Sequence, residues 1–551
     1  MKTARKKKTS ANKKFEKTPT RGKSTSEKTV AGGAKSGGTT FHGGSRRSAS
    51  PANRNEGPGR SNGKTRKEVV EATVDVLIIG AGISGIGAAY HLQDKLPNKS
   101  FIILEGREDL GGTWDLFKYP GIRSDSDLFT FGYDFRPWES SKGIADGASI
   151  KSYIRDTARE YGIDRQIIYN HRVISTDWDS REKLWNVKAR RKGQTKPALF
   201  KARWIFSGTG YYRYDEGYTP DFKGRSRFKG SIIHPQNWPE DLNYEDKRVI
   251  IIGSGATAVT LLPAMSRAAA HVTMLQRTPT YVMPLPESEM LSRILKPVLG
   301  KKLAFKVTRK KNILRQRWFY LFCQRFPERA RKLIRKENAK HLPPDFPVDE
   351  HFNPPYNPWD QRLCAVPDAD LFKVIRDGKG SVVTDSIKTF TAKGVMLESG
   401  KELEADIIIT ATGLNLLPFG GIKISVDGNR VHLPDHVAFK GMMLSGIPNL
   451  AFAVGYTTSS WTLKVGLLCE HFCRLLKHME EHNFHVCTPV ADPEMETRPL
   501  LDFEAGYVQR SMDQLPRRGT RFPWLMSWDY SEDVKLLRKG PVEDRNLDFR
   551  G

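Results

Sequence analysis

Residues 74–89 read VDVLIIGAGISGIGAA: a β-branched run, a glycine-rich turn, then small residues suited to a helix. Residues 249–262, VIIIGSGATAVTLL, repeat the device. Such a strand–turn–helix unit aims a helix N-terminus at a pyrophosphate. In the first copy Gly80 makes the tight turn, Gly82 lets backbone approach the phosphates, and Gly85 lets the helix close on the strand. In the second copy Gly253, Ser254, Gly255 and Thr257 form the loop, and Ala258 replaces the third glycine, which the fingerprint tolerates. Two copies predict two dinucleotides held at once, one feeding the other with electrons, rather than a simple dehydrogenase.

The residue that ends the following strand separates the two sites. Residues 100–104 run into Glu105, whose carboxylate suits the hydroxyls of an unphosphorylated ribose. Residues 271–276 run into Arg277, with Thr278 beside it. A carboxylate would repel a 2′-phosphate and an arginine would pair with it, so the second site is expected to take NADPH. A plain surface arginine beside Pro279 is the competing reading. The strand-like runs at 204–210 and 406–413 end in glycines and look like crossover strands returning to the nucleotide sheet. They imply a first domain split in sequence, with the second inserted in it.

The stretch after Glu105 is GREDLGGTWDLFKYPGIRSDSDLFTFGYDF. Gly111 and Gly112 break the chain where it should cross a cofactor, with Thr113 next, and Trp114, Phe117 and Tyr119 suit the walls of a flat ring system. Asp125, taken alone, is a solvated turn residue.

The formal charge of +27 suggests nucleic acid until its distribution is considered. Residues 1–68 hold 19 of the 89 Lys and Arg and only four Glu, and supply +15 of the total. This segment lacks apolar clusters and is expected to be disordered. It has no signal-peptide core. Its candidate roles are an electrostatic tether, a solubilising tail or a mis-assigned start. Lacking aromatic interleaving to stack bases, it gives no specific nucleic-acid partner. The five cysteines form no metal or disulfide framework, so a reduced cytoplasmic compartment and no metal are expected. No run of 18 apolar residues is present, so no transmembrane span is expected.

Two further strings carry a family resemblance. FKGSIIHPQNWP at 228–239 fits FxGxxxHxxxWP at every fixed position, and GGTW at 111–114 is followed by YPG at 119–121 and by Asp125. With the paired fingerprints, the chain resembles class B flavoprotein monooxygenases of the Baeyer–Villiger type over roughly residues 72–546. YPGIRSDSD, HPQNWPEDL, IGSGATAVTL, HFNPPYNPWDQRLC and ITATGLNL resemble the ethionamide-activating monooxygenases within that family.

The resemblance implies FAD on Gly80, Gly82, Gly85, Glu105, Gly112, Thr113, Trp114 and Asp125. It implies NADPH on Gly253, Ser254, Gly255, Thr257, Ala258, Arg277 and Thr278. YNPWDQRLC places Arg362 at the family's active-site arginine, over the flavin ring and paired with Asp125. On its own, Arg362 is as compatible with a surface loop as with a site lining. His234 and Trp238 are assigned to coupling of the two domains, a packed linker histidine being the plainer alternative. The implied reaction inserts one oxygen atom of O2 into a ketone to give an ester or lactone, or oxygenates sulfur compounds such as thioamides, using NADPH. The alternatives are a flavin-containing monooxygenase restricted to N- or S-oxygenation, and a disulfide reductase, which lacks its CxxC or CxxxxC pair after the first fingerprint.

The fold class expected is α/β, with two Rossmann-like dinucleotide-binding domains and the second inserted in the first. Residues 1–71 form the extension, 72–216 the first part of the FAD domain, 217–385 the NADPH domain, and 386–551 the rest of the FAD domain and a tail. Residues 285–345 mix Lys301, Lys302, Lys306 and Lys310 with Trp318, Phe319 and Phe322, and are expected to form an amphipathic helical insertion. It would shape the substrate entrance, lie on an anionic membrane surface, or simply cap the core. The protein is therefore expected in the cytoplasm or peripheral to the membrane. Residues 461–480 read as a helix on the flavin domain, and 487–551 as an irregular tail with short helices. Oligomeric state and natural substrate leave no signal.

Overall fold

The computed structural model describes residues 69–361, 363–501 and 505–551. The basic extension 1–68 and Arg362 lie outside the described residues. The architecture is α/β, built on two Rossmann-like sheets with a helical insertion.

Val70–Ile79 lies in the first sheet, parallel to Phe101–Leu104 on one side and Ala198–Ser207 on the other. Val76, Leu77 and Ile78 are buried on both faces, as expected for a continuous apolar run inside a parallel sheet. Ile167–Ile168 and Leu450–Phe452 extend the parallel part. An antiparallel meander through Leu184–Arg191 and His171–Asp179 continues the nine-stranded sheet, and Lys423–Val426 adds to its far edge. The run at 204–210 therefore does return beside the first fingerprint strand.

The second sheet is parallel throughout, in the order Gly380–Thr384, His271–Gln276, Arg248–Ile252, Ile407–Thr410, Ser231–Ile233. Here one expectation is corrected. Ile407–Thr410 does not rejoin the first sheet but fills the slot between Arg248–Ile252 and Ser231–Ile233. Ile408 and Ile409 are fully buried, and an apolar run of this kind fits the interior of either sheet equally well. The chain re-enters the first sheet at Lys423–Val426, which pairs with Asn429–Arg430, and at Leu450–Phe452.

The insertion comprises helices Met290–Arg325 and Pro327–Ala339, the first interrupted at Gly300 (φ 70°, ψ 165°). Among the described residues no helix is long and apolar enough to cross a membrane. Helix Trp461–Glu481 forms as expected and packs with Ile83–Lys95 against the first sheet. The tail is more ordered than its composition suggests: Val486–Pro489 pairs antiparallel with Leu547–Arg550.

All five cysteines are buried and none is in a disulfide. Burial pushes the thiols of Cys323 and Cys473 up to about 11 and about 12, and raises those of Cys469 and Cys487 well above the ordinary thiol value.

The helix Trp461–Glu481 carries an ion pair that no pattern announces. Lys464 Nζ lies 2.8 Å from Asp533 Oδ2, and each side chain is 1% exposed. Lys464 also donates to Ser527 O, and the Tyr456 hydroxyl donates to Asp533 at 2.6 Å. Burial pushes Lys464 down and Asp533 up, and their attraction opposes it. Removing one partner strands the other charge. Lys464→Met is expected to cost about 3–5 kcal/mol in denaturant unfolding, and adding Asp533→Leu to recover most of it. A neutral single variant would contradict this.

Candidate active site

The first fingerprint loop leads directly into helix Ile83–Lys95. A Cβ at Gly85 would lie 1.9 Å from Gly80 O, so any larger residue would push the helix off the strand. Glu105 closes the loop: its Oε2 accepts from Ala81 N at 2.7 Å and its Oε1 from Arg107 N at 2.9 Å. Burial raises this carboxyl, while those two N–H groups and the Arg107 charge oppose the rise. Each oxygen retains a lone pair for a further donor. Gly112 faces the loop, its position leaving 3.2 Å from a built Cβ to Gly82 Cα. Thr113 Oγ1 lies 3.3 Å from the Tyr214 hydroxyl, and burial pushes that phenol up to about 12. Trp114 stands edge-on to Phe131, with centroids 5.7 Å apart.

The second fingerprint is built the same way, with helix Ala256–Met265 starting at Gly255. Gly253 has φ 138°, and a Cβ there would fall 2.3 Å from Ala411 O. Gly255 faces open space, with nothing within 4 Å of a built Cβ, as close approach of a phosphate requires. Ser254 Oγ donates to Thr278 O at 3.0 Å and meets Thr280 Oγ1 at 2.8 Å, tying the loop to the rim. Arg277 is exposed at that rim and makes no ion pair with another described residue.

One cleft of about 1440 Å³ joins the two loops. Gly80, Gly82, Glu105, Gly112, Thr113, Trp114 and Asp125 line it from the first set, and Gly253, Ser254, Gly255, Thr257, Arg277 and Thr278 from the second. Gly85 and Ala258 stand behind their loops in the two helices. Tyr119 crosses between the sets: its hydroxyl bonds to Thr257, and burial holds the phenol far above its ordinary value. Gln361 and Cys364, on either side of Arg362 in sequence, line the cleft. Cys364 is the only described cysteine there, so no cysteine pair of a disulfide reductase is formed among the described residues.

His234 and Trp238 stand outside the cleft, at the crossing between the sheets. His234 Nδ1 accepts from Gln236 N at 3.2 Å, leaving the Nε2 proton to donate to Gly413 O at 3.2 Å. The imidazole lies on Gly217, where a Cβ would come 1.9 Å from Cε1. Gln236 Nε2 donates to Arg213 O and Tyr214 O. Trp238 packs on the core of the second sheet. The two connections between the sheets, Tyr212–Gly217 and Leu414–Leu416, are themselves paired antiparallel.

Several lining residues have no motif to announce them. Trp461 donates its indole N–H to Ser84 Oγ at 2.9 Å from the far end of the chain. Tyr214 was accessible in principle, since the tyrosine-rich YYRY follows the Gly208–Gly210 turn.

A family model described as flavin-binding monooxygenase-like matches residues 73–439. The chain belongs to the flavin-binding monooxygenase-like family. Among similar proteins is the FAD-containing monooxygenase EthA of Mycobacterium tuberculosis, 52% identical over 478 residues, covering 86% of this chain and 97% of that one. The probable FAD-binding monooxygenase AlmA of Acinetobacter baylyi is 45% identical and covers 87% and 97%. Cyclohexanone monooxygenase from Rhodococcus sp. Phi1, solved with NADP+ bound, shares the fold at TM-score 0.66 and 19% identity, covering 87% and 99%. OTEMO solved with FAD and NADP matches at TM-score 0.66 and 20% identity, covering 86% and 99%.

Burial holds His234 below the ordinary imidazole value. As pH falls through about 6.5 the unfolded chain therefore takes up a proton that the folded one does not, and stability drops. The contribution is intact above that pH and lost below it. His234→Gln, which keeps a donor but cannot titrate, is expected to flatten the decline of stability between about pH 6.5 and 5. Superimposable curves for the two proteins would refute this.

Proposed function

We propose that the chain is an FAD- and NADPH-dependent monooxygenase of the Baeyer–Villiger type. It inserts one oxygen atom of O2 into ketones to give esters or lactones, and oxygenates sulfur compounds such as thioamides. The observation that carries this reading is the single cleft in which two nucleotide loops meet, the strand after one ending at the Glu105 carboxylate and the strand after the other at Arg277, which makes no ion pair among the described residues. The open face of Gly255, the close Gly82–Gly112 approach and the spare lone pairs of Glu105 fit two pyrophosphates and a ribose. The 52% identity to an FAD-containing monooxygenase supports the same assignment.

In this reading FAD lies on Gly80, Gly82, Gly85, Glu105, Gly112, Thr113, Trp114 and Asp125. NADPH lies on Gly253, Ser254, Gly255, Thr257, Ala258, Arg277 and Thr278. The flavin, when bound, accepts hydride from NADPH and activates O2. The chain's residues place and protect that chemistry. The helix N-termini after Gly82 and Gly255 hold phosphates, and Glu105 accepts from ribose hydroxyls. Arg277 pairs with the 2′-phosphate. Arg362, oriented by Asp125, stabilises negative charge at the reacting centre. Trp114, Tyr119 and Tyr214 wall the site against water. His234 and Trp238 couple the two nucleotide domains. We place the NADPH domain at 217–413, inserted in an FAD domain formed by the residues around it, so that Ile407–Thr410 belongs to the inserted part.

The test is direct. Purified protein should be yellow, NADPH should bleach it without oxygen, and in air a ketone panel should yield products one oxygen atom heavier. Sulfoxides or N-oxides alone, with every ketone untouched, would favour a monooxygenase of soft nucleophiles. Rapid anaerobic turnover with a disulfide would sink the monooxygenase reading.

Two variants test the residue roles. Arg277→Ala removes a charged pair worth about 2 kcal/mol, so NADPH affinity should fall about 30-fold while NADH affinity barely changes. Equal losses would overturn that role. Arg362→Ala should retain FAD and lose ester formation, and a normal ester yield would remove Arg362 from the reacting centre.

A further inference from the structure

We propose that the outer face of helix Met290–Arg325 docks on an anionic phospholipid bilayer. At about 100° per residue, Leu303, Val307, Leu314, Trp318 and Leu321 fall within roughly 60° of arc. All five are exposed, Trp318 at 65%. Before the Gly300 bend, Met290, Ile294 and Val298 repeat every fourth residue and are exposed too, Val298 at 78%. Phe305, Asn312 and Cys323 are buried on the opposite face, and Ala304 and Thr308 are buried between it and the stripe. A stripe of this size on a water-exposed surface marks an interaction site.

The helix is not loosely attached. Arg309 donates to Phe129 O and Gly132 O at 2.8 Å, and Asn312 and Gln316 donate to the Asp127 carboxylate at 2.9 and 2.7 Å. Its inner face is occupied, and only the stripe is left for a partner.

Charge identifies the partner. Lys302, Lys306 and Lys310 run along one edge of the stripe, are exposed and make no ion pair among the described residues. Apolar side chains bordered by free cations fit the boundary between acyl chains and anionic headgroups. A second copy of this surface would set lysines against lysines, so a lipid surface fits better.

Flotation of the full chain with phosphatidylcholine vesicles, with and without phosphatidylglycerol, tests this. Wild type should float with the anionic vesicles. Leu314→Glu/Trp318→Glu should lower the bound fraction about tenfold, and Lys302→Glu/Lys306→Glu/Lys310→Glu should do the same. The basic residues 1–68 are present in every protein, so differences between variants on the same vesicles report the helix. NADPH oxidation should be unchanged in both variants, which shows that they are folded. Quenching of tryptophan emission by brominated lipid should fall in Trp318→Phe. Variants that float like wild type would overturn the proposal. So would a wild-type dimer that the Glu variants split while vesicle binding is unaffected.

Discussion

The two crossings between the sheets are one object, and the cleft depends on it. The chain passes to the second sheet through Tyr212–Gly217 and returns through Leu414–Leu416, and these segments pair with each other. The His234 imidazole pins the ribbon from the side through Gly413 O, and Gln236 holds the carbonyls of Arg213 and Tyr214. Each such hydrogen bond contributes only about 1 kcal/mol. Their value lies in position. Both nucleotide loops hang from sheets that the chain joins only through this narrow ribbon, with Tyr119–Thr257 and Arg123–Asp370 as side-chain ties across them, and a small rotation there moves Arg277 relative to Glu105.

The parts legible in the sequence were those whose chemistry is local. A glycine that admits no Cβ and the residue ending the next strand sit within a few turns of each other, so pattern alone places them. Ile407–Thr410 was misplaced because burial on both faces is the same signal in either sheet, and only the pairing partner distinguishes them. Trp461 against Ser84 and Lys464 against Asp533 join residues far apart in the chain, where no period or spacing operates. Arg362, which lies outside the described residues, is proposed through resemblance alone, since an arginine in a proline-rich loop has many ordinary explanations.

The insertion shows why an amphipathic pattern needs a structure to interpret it. Leu, Phe and Trp recur on both sides of the helix, so periodicity could not tell which face meets the core. The core face is in fact partly polar, with Asn312 and Gln316 serving the Asp127 carboxylate. The more apolar stripe is the one left outside.

An enzyme that activates oxygen endangers itself whenever the activated species escapes as hydrogen peroxide. The group that such a leak attacks first is a thiolate, and thiolates need exposure and a low pKa. Here Cys323, Cys469, Cys473 and Cys487 are buried, and desolvation holds them as thiols. Only Cys364 borders the cleft, and it too is buried. The fold thus keeps its cysteine thiols in buried places that peroxide would reach slowly, while its sulfur at Met290 stands exposed.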